Sequence, residues 1–270
     1  MRKSDELVVA IEAAKKAGKA LLGDYGDAVV RYKADGSVVT SADTRAEAMI
    51  RKALARSFPS YSFIGEESGF DDKGSDFIWM VDPLDGTTNF VMKNPFFAVS
   101  IGLAYRKRVV MGVVHYPFQN ETFYATRGEG AHLNDKPIKA SRRSNLETSV
   151  ITFCHGRDRY SVAQIIDLFR RLKSMNDKVR QVGAASLELC YVACGRTDCF
   201  LMPGANPWDV AAGAVIVREA GGKVSDLQNR PFNTKSKSIL AANRDLHRKM
   251  LALLQKPGLA RPTSDRPAAT

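Results

Sequence analysis

Two carboxylates, Asp82 and Asp85, stand three positions apart in the segment Asp-Pro-Leu-Asp-Gly-Thr-Thr-Asn-Phe, residues 82–90. The apolar run Phe77–Val81 comes directly before them and reads as a strand. That strand delivers both carboxylates into a turn fixed by Pro83 and Gly86, and two hydroxyls, Thr87 and Thr88, follow where a helix could begin. Carboxylate oxygens suit hard divalent cations. The free N–H groups of a helix start suit an anion. Nine residues therefore offer a metal site beside a phosphate site, which points to metal-assisted chemistry on a phosphate ester. Asp-Pro and Asp-Gly are also ordinary turn dipeptides, and Asp or Thr often caps a helix. The rest of the chain has to decide between the two.

Further acidic segments stand at Asp43, at Glu66-Glu67 and at Asp209. Each lies just after an expected strand or just before an expected helix. Singly, Asp43 and Asp209 read as helix caps and Glu66 as a solvated loop residue. Four carboxylates converging without a counter-charge would repel each other strongly. Bound Mg2+ would remove that conflict, acidify a water and, as a pair of ions, stabilise both oxygens of an in-line displacement. Oxygen donors without His or Cys favour Mg2+ over zinc. His115, His132, His155 and His247 fit no part of the pattern and read as core or surface residues.

The elements that must position these groups follow from periodicity. Leu7, Val8, Ile11, Ala14, Leu21 and Leu22 fall near one face of an N-terminal amphipathic helix capped by Ser4. A polar connection, Asp24–Asp35, leads to a short strand, Ser37–Thr40. Thr44 and Glu47 form a capping-box pattern for a helix to about Ser57. Phe63-Ile64 is a short strand, and Gly69–Asp76 an acidic loop. Phe97–Tyr105, Val109–Tyr116 and Glu121–Thr126 read as an antiparallel meander. Residues 141–149 are the most polar break. They divide an N-terminal α+β unit, 1–145, from a C-terminal α/β unit, 146–256, in which strands and helices alternate. Residues 257–270 are proline-rich and poor in bulky apolar groups, so disorder is expected there.

The 270 residues include 44% hydrophobic and 26% charged side chains, a soluble globular composition. No apolar stretch of about 18 residues suggests a membrane span. Cys154, Cys190, Cys194 and Cys199 lack metal-site spacing and read as buried, reduced thiols of a cytoplasmic protein. The formal net charge is +11. That excess is compatible with nucleic acid or with anionic substrates, but no RNA-binding motif accompanies it.

Taken together, Gly65-Glu66-Glu67-Ser68, Asp82–Phe90 and Trp208-Asp209-Val210-Ala211-Ala212-Gly213 resemble the inositol monophosphatase family in order and spacing. Pro95–Gly102 resembles the family segment that follows the central motif, and the likeness extends over most of residues 30–245. The resemblance implies the sugar-phosphatase fold, a layered α-β-α-β-α sandwich, in a lithium-sensitive enzyme with two or three Mg2+ ions per site and a homodimeric assembly. It implies that Glu66, Asp82, Asp85, Asp209 and the main-chain carbonyl of Leu84 hold metal. It implies that Asp43 and Thr87 orient and deprotonate water, with Glu66 also counted in the catalytic set. Gly86, Thr87 and Thr88 would cradle phosphate, Ala185 lies in a substrate-side strip, and Lys33 falls near a family lysine in a loop close to the metals.

The chain departs from the family at Met202, where the resemblance places an inositol-reading carboxylate, and at Ala184, where some members carry a hydroxyl. The expected activity is hydrolysis of small sugar or polyol phosphates. Sister activities on histidinol phosphate, fructose 1,6-bisphosphate or 3′-phosphoadenosine 5′-phosphate are the alternatives. A role as a partner of RNA polymerase or RNA in transcription complexes is the alternative from another class.

Overall fold

The computed structural model describes residues 3–33 and 36–255; the tail expected to be disordered and the end of the Asp24–Asp35 connection lie outside the described residues. Helix α1 (Asp5–Asp24) begins where the Ser4 hydroxyl accepts from the Leu7 N–H at 3.3 Å. A short hairpin, β1 (Val30–Tyr32) and β2 (Val38–Thr40), then leads directly into α2 (Ser41–Ser57).

An eight-stranded sheet follows, built from β3 (Ser62–Gly65), β4 (Gly69–Asp71), β5 (Phe77–Asp85), β6 (Ala98–Tyr105), β7 (Arg108–Tyr116), β8 (Glu121–Thr126), β9 (Ala131–Leu133) and β10 (Lys136–Pro137). Its order is β10-β9-β8-β7-β6-β5-β3-β4. All neighbours are antiparallel except β3 and β5. The one-turn helix α3 (Thr87–Val91) interrupts it after β5. The second sheet has five strands in the order β12-β11-β13-β15-β14: β11 (Ile151–Phe153), β12 (Val179–Arg180), β13 (Cys199–Pro203), β14 (Lys223–Ser225) and β15 (Ser238–Ala242). The connecting helices are α4 (Arg159–Lys173), α5 (Ala185–Ala193), α6 (Pro207–Glu219) and α7 (Arg244–Leu254).

The period-2 alternation of strand side chains assigns these elements to layers. Trp79 and Val81 of β5 join one core with Leu7 of α1 and Ile50 of α2, while Met80 joins the opposite core with α5 and α6. In β13, Phe200 and Met202 face that same α5/α6 layer, while Cys199 and Leu201 face α4 and α7. The order is therefore α1/α2, eight-stranded sheet, α5/α6, five-stranded sheet, α4/α7, the five-layered sandwich that the resemblance implies. Helix α6 seats closely on the large sheet. A Cβ at Gly112 of β7 would fall 2.5 Å from the Ala212 carbonyl oxygen, so the glycine and the small residues of Val210–Gly213 admit that approach.

Several local expectations are corrected. The buried face of α1 is Leu7, Ala10, Ala13, Ala14, Ala17, Gly18 and Leu21, whereas Val8 and Leu22 are exposed. Small residues fill the middle of that face where side chains of the large sheet press against it; a Cβ on Gly18 would meet the His115 ring at 2.6 Å. The Thr44–Glu47 capping box does not form: the cap is Thr40 with Asp43, one turn earlier. The acidic loop from Gly69 opens with strand β4 rather than irregular chain. Asp82 to Asp85 belongs to β5 itself, with the register to β6 slipping between those two residues. Such a slip re-aims side chains and accommodates a proline inside a sheet. The smaller sheet is mixed: β11 runs parallel to β12 and β13, but β15 is antiparallel to β13 and β14.

Candidate active site

A cleft of about 830 Å³ opens where the end of β5 meets the starts of α3, α5 and α6. Glu66, Asp82 and Asp209 each direct one carboxylate oxygen to a common point, with those oxygens all within 4.8 Å of one another. Asp82 comes from the irregular end of β5, and its second role is structural: it accepts the Leu84 N–H at 3.0 Å. Asp209 comes from the first turn of α6, where its Oδ2 accepts the Asn206 N–H at 2.8 Å. It caps that helix and joins the cluster with the same carboxylate.

Burial governs the electrostatics. Asp82 is held well above the usual carboxylate range, first by burial and then by the charges of Glu66, Asp85 and Asp209. Burial first and Glu66 among the charges push Asp209 up to about 8. Glu66 is raised by burial too, although Lys33 opposes the shift. Three oxygen donors this close and this reluctant to ionise fit a hard divalent cation, whose charge would relieve both the desolvation and the repulsion.

Asp85 is placed differently. Its Oδ1 accepts the Ala185 N–H at 2.9 Å, and its Oδ2 accepts the N–H and hydroxyl of Ser186 at 2.7 and 2.6 Å. It thus closes the N-terminus of α5 across the cleft and stands outside the three-carboxylate group. Burial raises it to about 6 against those bonds. Ala185, a substrate-side residue in the sequence reading, meets Asp85 through its backbone.

Asp43 lies beside the cluster and is buried. Its Oδ2 is fixed by the Thr40 N–H at 2.8 Å and hydroxyl at 2.6 Å, while its Oδ1 faces the Thr87 hydroxyl at 3.0 Å. Thr87 Oγ1 is equally 3.0 Å from the Leu84 carbonyl oxygen. A hydroxyl has one proton, so these two acceptors share it. Burial raises Asp43 despite the bonds from Thr40 and Thr87. Leu84 keeps its side chain in the core and its carbonyl at the cleft.

Gly86 precedes Thr87 with φ +94°, and a Cβ there would lie 3.0 Å from the Phe96 carbonyl oxygen. Only glycine adopts that backbone cheaply. Thr87 and Thr88 then open α3, where the first N–H groups have no partner within the helix. Met202 lines the cleft from β13 and is nearly buried. Lys33 reaches in from the end of the β1–β2 hairpin and pairs with Glu66 at 3.2 Å and Glu67 at 2.7 Å.

Sequence alone assigns no individual site role to several residues in or behind the cleft. Glu47, expected as a helix cap, is buried and accepts the backbone N–H groups of Glu67 at 2.9 Å and Ser68 at 2.8 Å. It clamps the turn that presents Glu66. Asn89 donates to the carbonyls of Phe96 and Val182, both at 2.8 Å, and so ties the central motif to the second half of the chain. His155, Cys154 and Arg157 form part of the far wall. A pattern of acids could not reveal these partners, because they are joined only by the fold. Cys154 donates to the buried Glu188 at 3.2 Å, and all four cysteines are free thiols.

The family model described as the inositol monophosphatase family matches residues 3–258. The chain is 38% identical over 268 residues to the inositol-1-monophosphatase of Mesorhizobium japonicum, an alignment that covers 97% of this chain and 100% of that one. It is 38% identical to the Nus factor SuhB of Pasteurella multocida, over 92% of this chain and 95% of the relative. Among solved structures, extragenic suppressor protein suhB from Bartonella henselae superposes with a TM-score of 0.88 at 38% identity, covering 94% of this chain and all of that one. On the match along nearly its whole length, the chain belongs to the inositol monophosphatase family.

Proposed function

We propose that the protein is a Mg2+-dependent phosphomonoesterase that hydrolyses small sugar and polyol phosphates, inositol 1-phosphate among them. The observation that carries this is the pairing of the Glu66–Asp82–Asp209 cluster with the Asp43–Thr87 hydrogen bond in one cleft. Glu66, Asp82 and Asp209 would hold the metal, and the family resemblance adds the Leu84 carbonyl and Asp85, whose oxygens each keep acceptor capacity beyond their bonds to α5. When bound, Mg2+ supplies neutralising charge, a more acidic water and polarised phosphate oxygens.

The chain's own residues handle the proton. Thr40 holds one oxygen of Asp43, so only Oδ1 is free to act, and it faces Thr87. Thr87 Oγ1 can accept a proton from water while passing its own to Asp43. Burial makes Asp43 a stronger base than a solvated aspartate. The amides of Gly86, Thr87 and Thr88 are the proposed phosphate cradle. Met202 presents thioether and methylene where a carboxylate would read hydroxyls, so the alcohol part of the substrate meets an apolar wall, which discriminates weakly. Family resemblance supports a homodimer, lithium sensitivity and a cytoplasmic location as further parts of the proposal.

The test is phosphate release from a panel of monoesters by wild type and Thr87→Ala. The variant keeps the fold and loses about 10²–10⁴ in kcat, the scale of lost acid–base assistance. Unchanged activity per folded molecule would reduce Thr87 to a structural residue. A second role in transcription complexes is favoured by relatives named Nus factor SuhB and is compatible with the +11 net charge. A salt-dependent pull-down with RNA or RNA polymerase tests it separately from catalysis.

A further inference from the structure

Helix α6 carries Asp209 in its first turn and Arg218 in its last, nine residues on and about 13 Å along the axis. Arg218 looks into a second cleft, again of about 830 Å³, that shares no residue with the catalytic one. Lys223 enters it from β14, the edge strand of the smaller sheet, and Arg244 and Arg248 enter from α7. The one carboxylate on its wall, Asp245, is engaged by Arg248 at 3.5 Å. Arg218, Lys223 and Arg244 make no ion pair among the described residues.

Arg218 is the informative member. Its guanidinium donates one bond, from Nη2 to the Phe232 carbonyl oxygen at 3.0 Å, and lies 5.8 Å from the Phe232 ring centre. It is partly buried, and burial first, then the like charge of Arg127, disfavour its charged form. The Phe232 carbonyl and ring compensate that desolvation only in part, because neither carries a full negative charge. Arginine forks match phosphate oxygens, and lysine adds a point charge.

We propose that this cleft is a second binding site, for a small anion of the polyphosphate type with several charges in a compact group. The cations come from three elements and converge on a concavity. A nucleic-acid backbone would instead be tracked by a stripe of charge along a face.

The probe is tripolyphosphate, titrated calorimetrically into the full chain in EDTA at moderate salt. Without metal the clustered carboxylates of the catalytic cleft oppose the probe's charge, and the second-cleft variants separate any binding there from binding at the proposed site. Wild type should bind one tripolyphosphate per chain. The double variant Lys223→Glu, Arg244→Glu should weaken binding more than about tenfold, or about 1.4 kcal/mol. Lys223→Gln alone, at an exposed position, should give a smaller loss in the same direction. The control pair Lys107→Glu, Arg108→Glu, at the β6–β7 turn and the first residue of β7, makes the same charge change elsewhere and should stay within about twofold of wild type. All variants should retain Mg2+-dependent phosphate release, which certifies their fold. Absence of saturable binding by wild type, or equal weakening by both double variants, would overturn the proposal. An RNA oligonucleotide that competes equally on both variants would mark general charge attraction rather than a site.

Discussion

Asp209→Asn removes one charge from the three-carboxylate cluster and leaves an amide oxygen to accept the Asn206 N–H, so the α6 cap survives. With ligand oxygens within 4.8 Å and an effective dielectric of about 20, each ionised pair costs about 3 kcal/mol. The metal-free protein avoids part of that cost by binding protons, which is why Asp209 is pushed up to about 8. Its folded value exceeds its unfolded one, so the folded state holds more protons between those values. Wild-type stability attributable to this group is therefore undiminished below about pH 4 and falls as pH rises toward 8. The amide does not titrate. In EDTA near pH 7.5, the variant should be more stable than wild type by up to about 5 kcal/mol, with the gap closing near pH 4. In saturating Mg2+ the order should narrow or reverse, because binding at a hundred times Kd adds about 2.7 kcal/mol to the wild type alone. Urea unfolding at both pH values, with and without Mg2+, reads all four cases. A variant less stable than wild type in EDTA at the higher pH would refute the repulsion account.

Two further outcomes concern residues around the cluster. Glu47→Gln weakens the clamp on the Glu67 and Ser68 amides, so the Mg2+ concentration for half-maximal activity should rise about tenfold or more, with kcat at saturating Mg2+ less affected; an unchanged Mg2+ dependence would show that Glu47 does not position Glu66. Met202→Glu restores a hydroxyl-reading carboxylate and should raise the kcat/KM ratio of inositol 1-phosphate to glycerol 2-phosphate, whereas a wild-type preference for inositol 1-phosphate already above about 10³-fold would contradict the apolar-wall account.

The layers were legible because strand alternation and helical periodicity are local signals. The chain order of strands and helices in residues 146–256 follows from them, but the antiparallel entry of β15 does not, since pairing direction is set by long-range packing. The face of α1 differs from the expected one because periodicity favours large apolar residues such as Val8 and Leu22 for the inside. Close packing against His115 instead sets alanines and Gly18 between Leu7 and Leu21 on that face. Capping and site chemistry looked like rival readings of Asp43 and Asp209. They are compatible, because a carboxylate has two oxygens: one of Asp43 caps α2 while the other meets Thr87. Glu47 shows the reverse case, since a plausible local pattern with Thr44 hid a contact twenty residues away. Asn89 stands inside the 82–90 motif, but its bonds to Phe96 and Val182, like that of Ser186 to Asp85, join segments with no mutual spacing signal.

The most direct test of metal-dependent phosphate chemistry at Asp82 is phosphate release from inositol 1-phosphate, measured after EDTA treatment and again after Mg2+ is returned, for wild type and Asp82→Asn. EDTA should abolish the wild-type rate, Mg2+ should restore it, and the variant should stay inactive under both conditions. Full turnover by the Asp82→Asn protein in metal-depleted buffer would contradict the account.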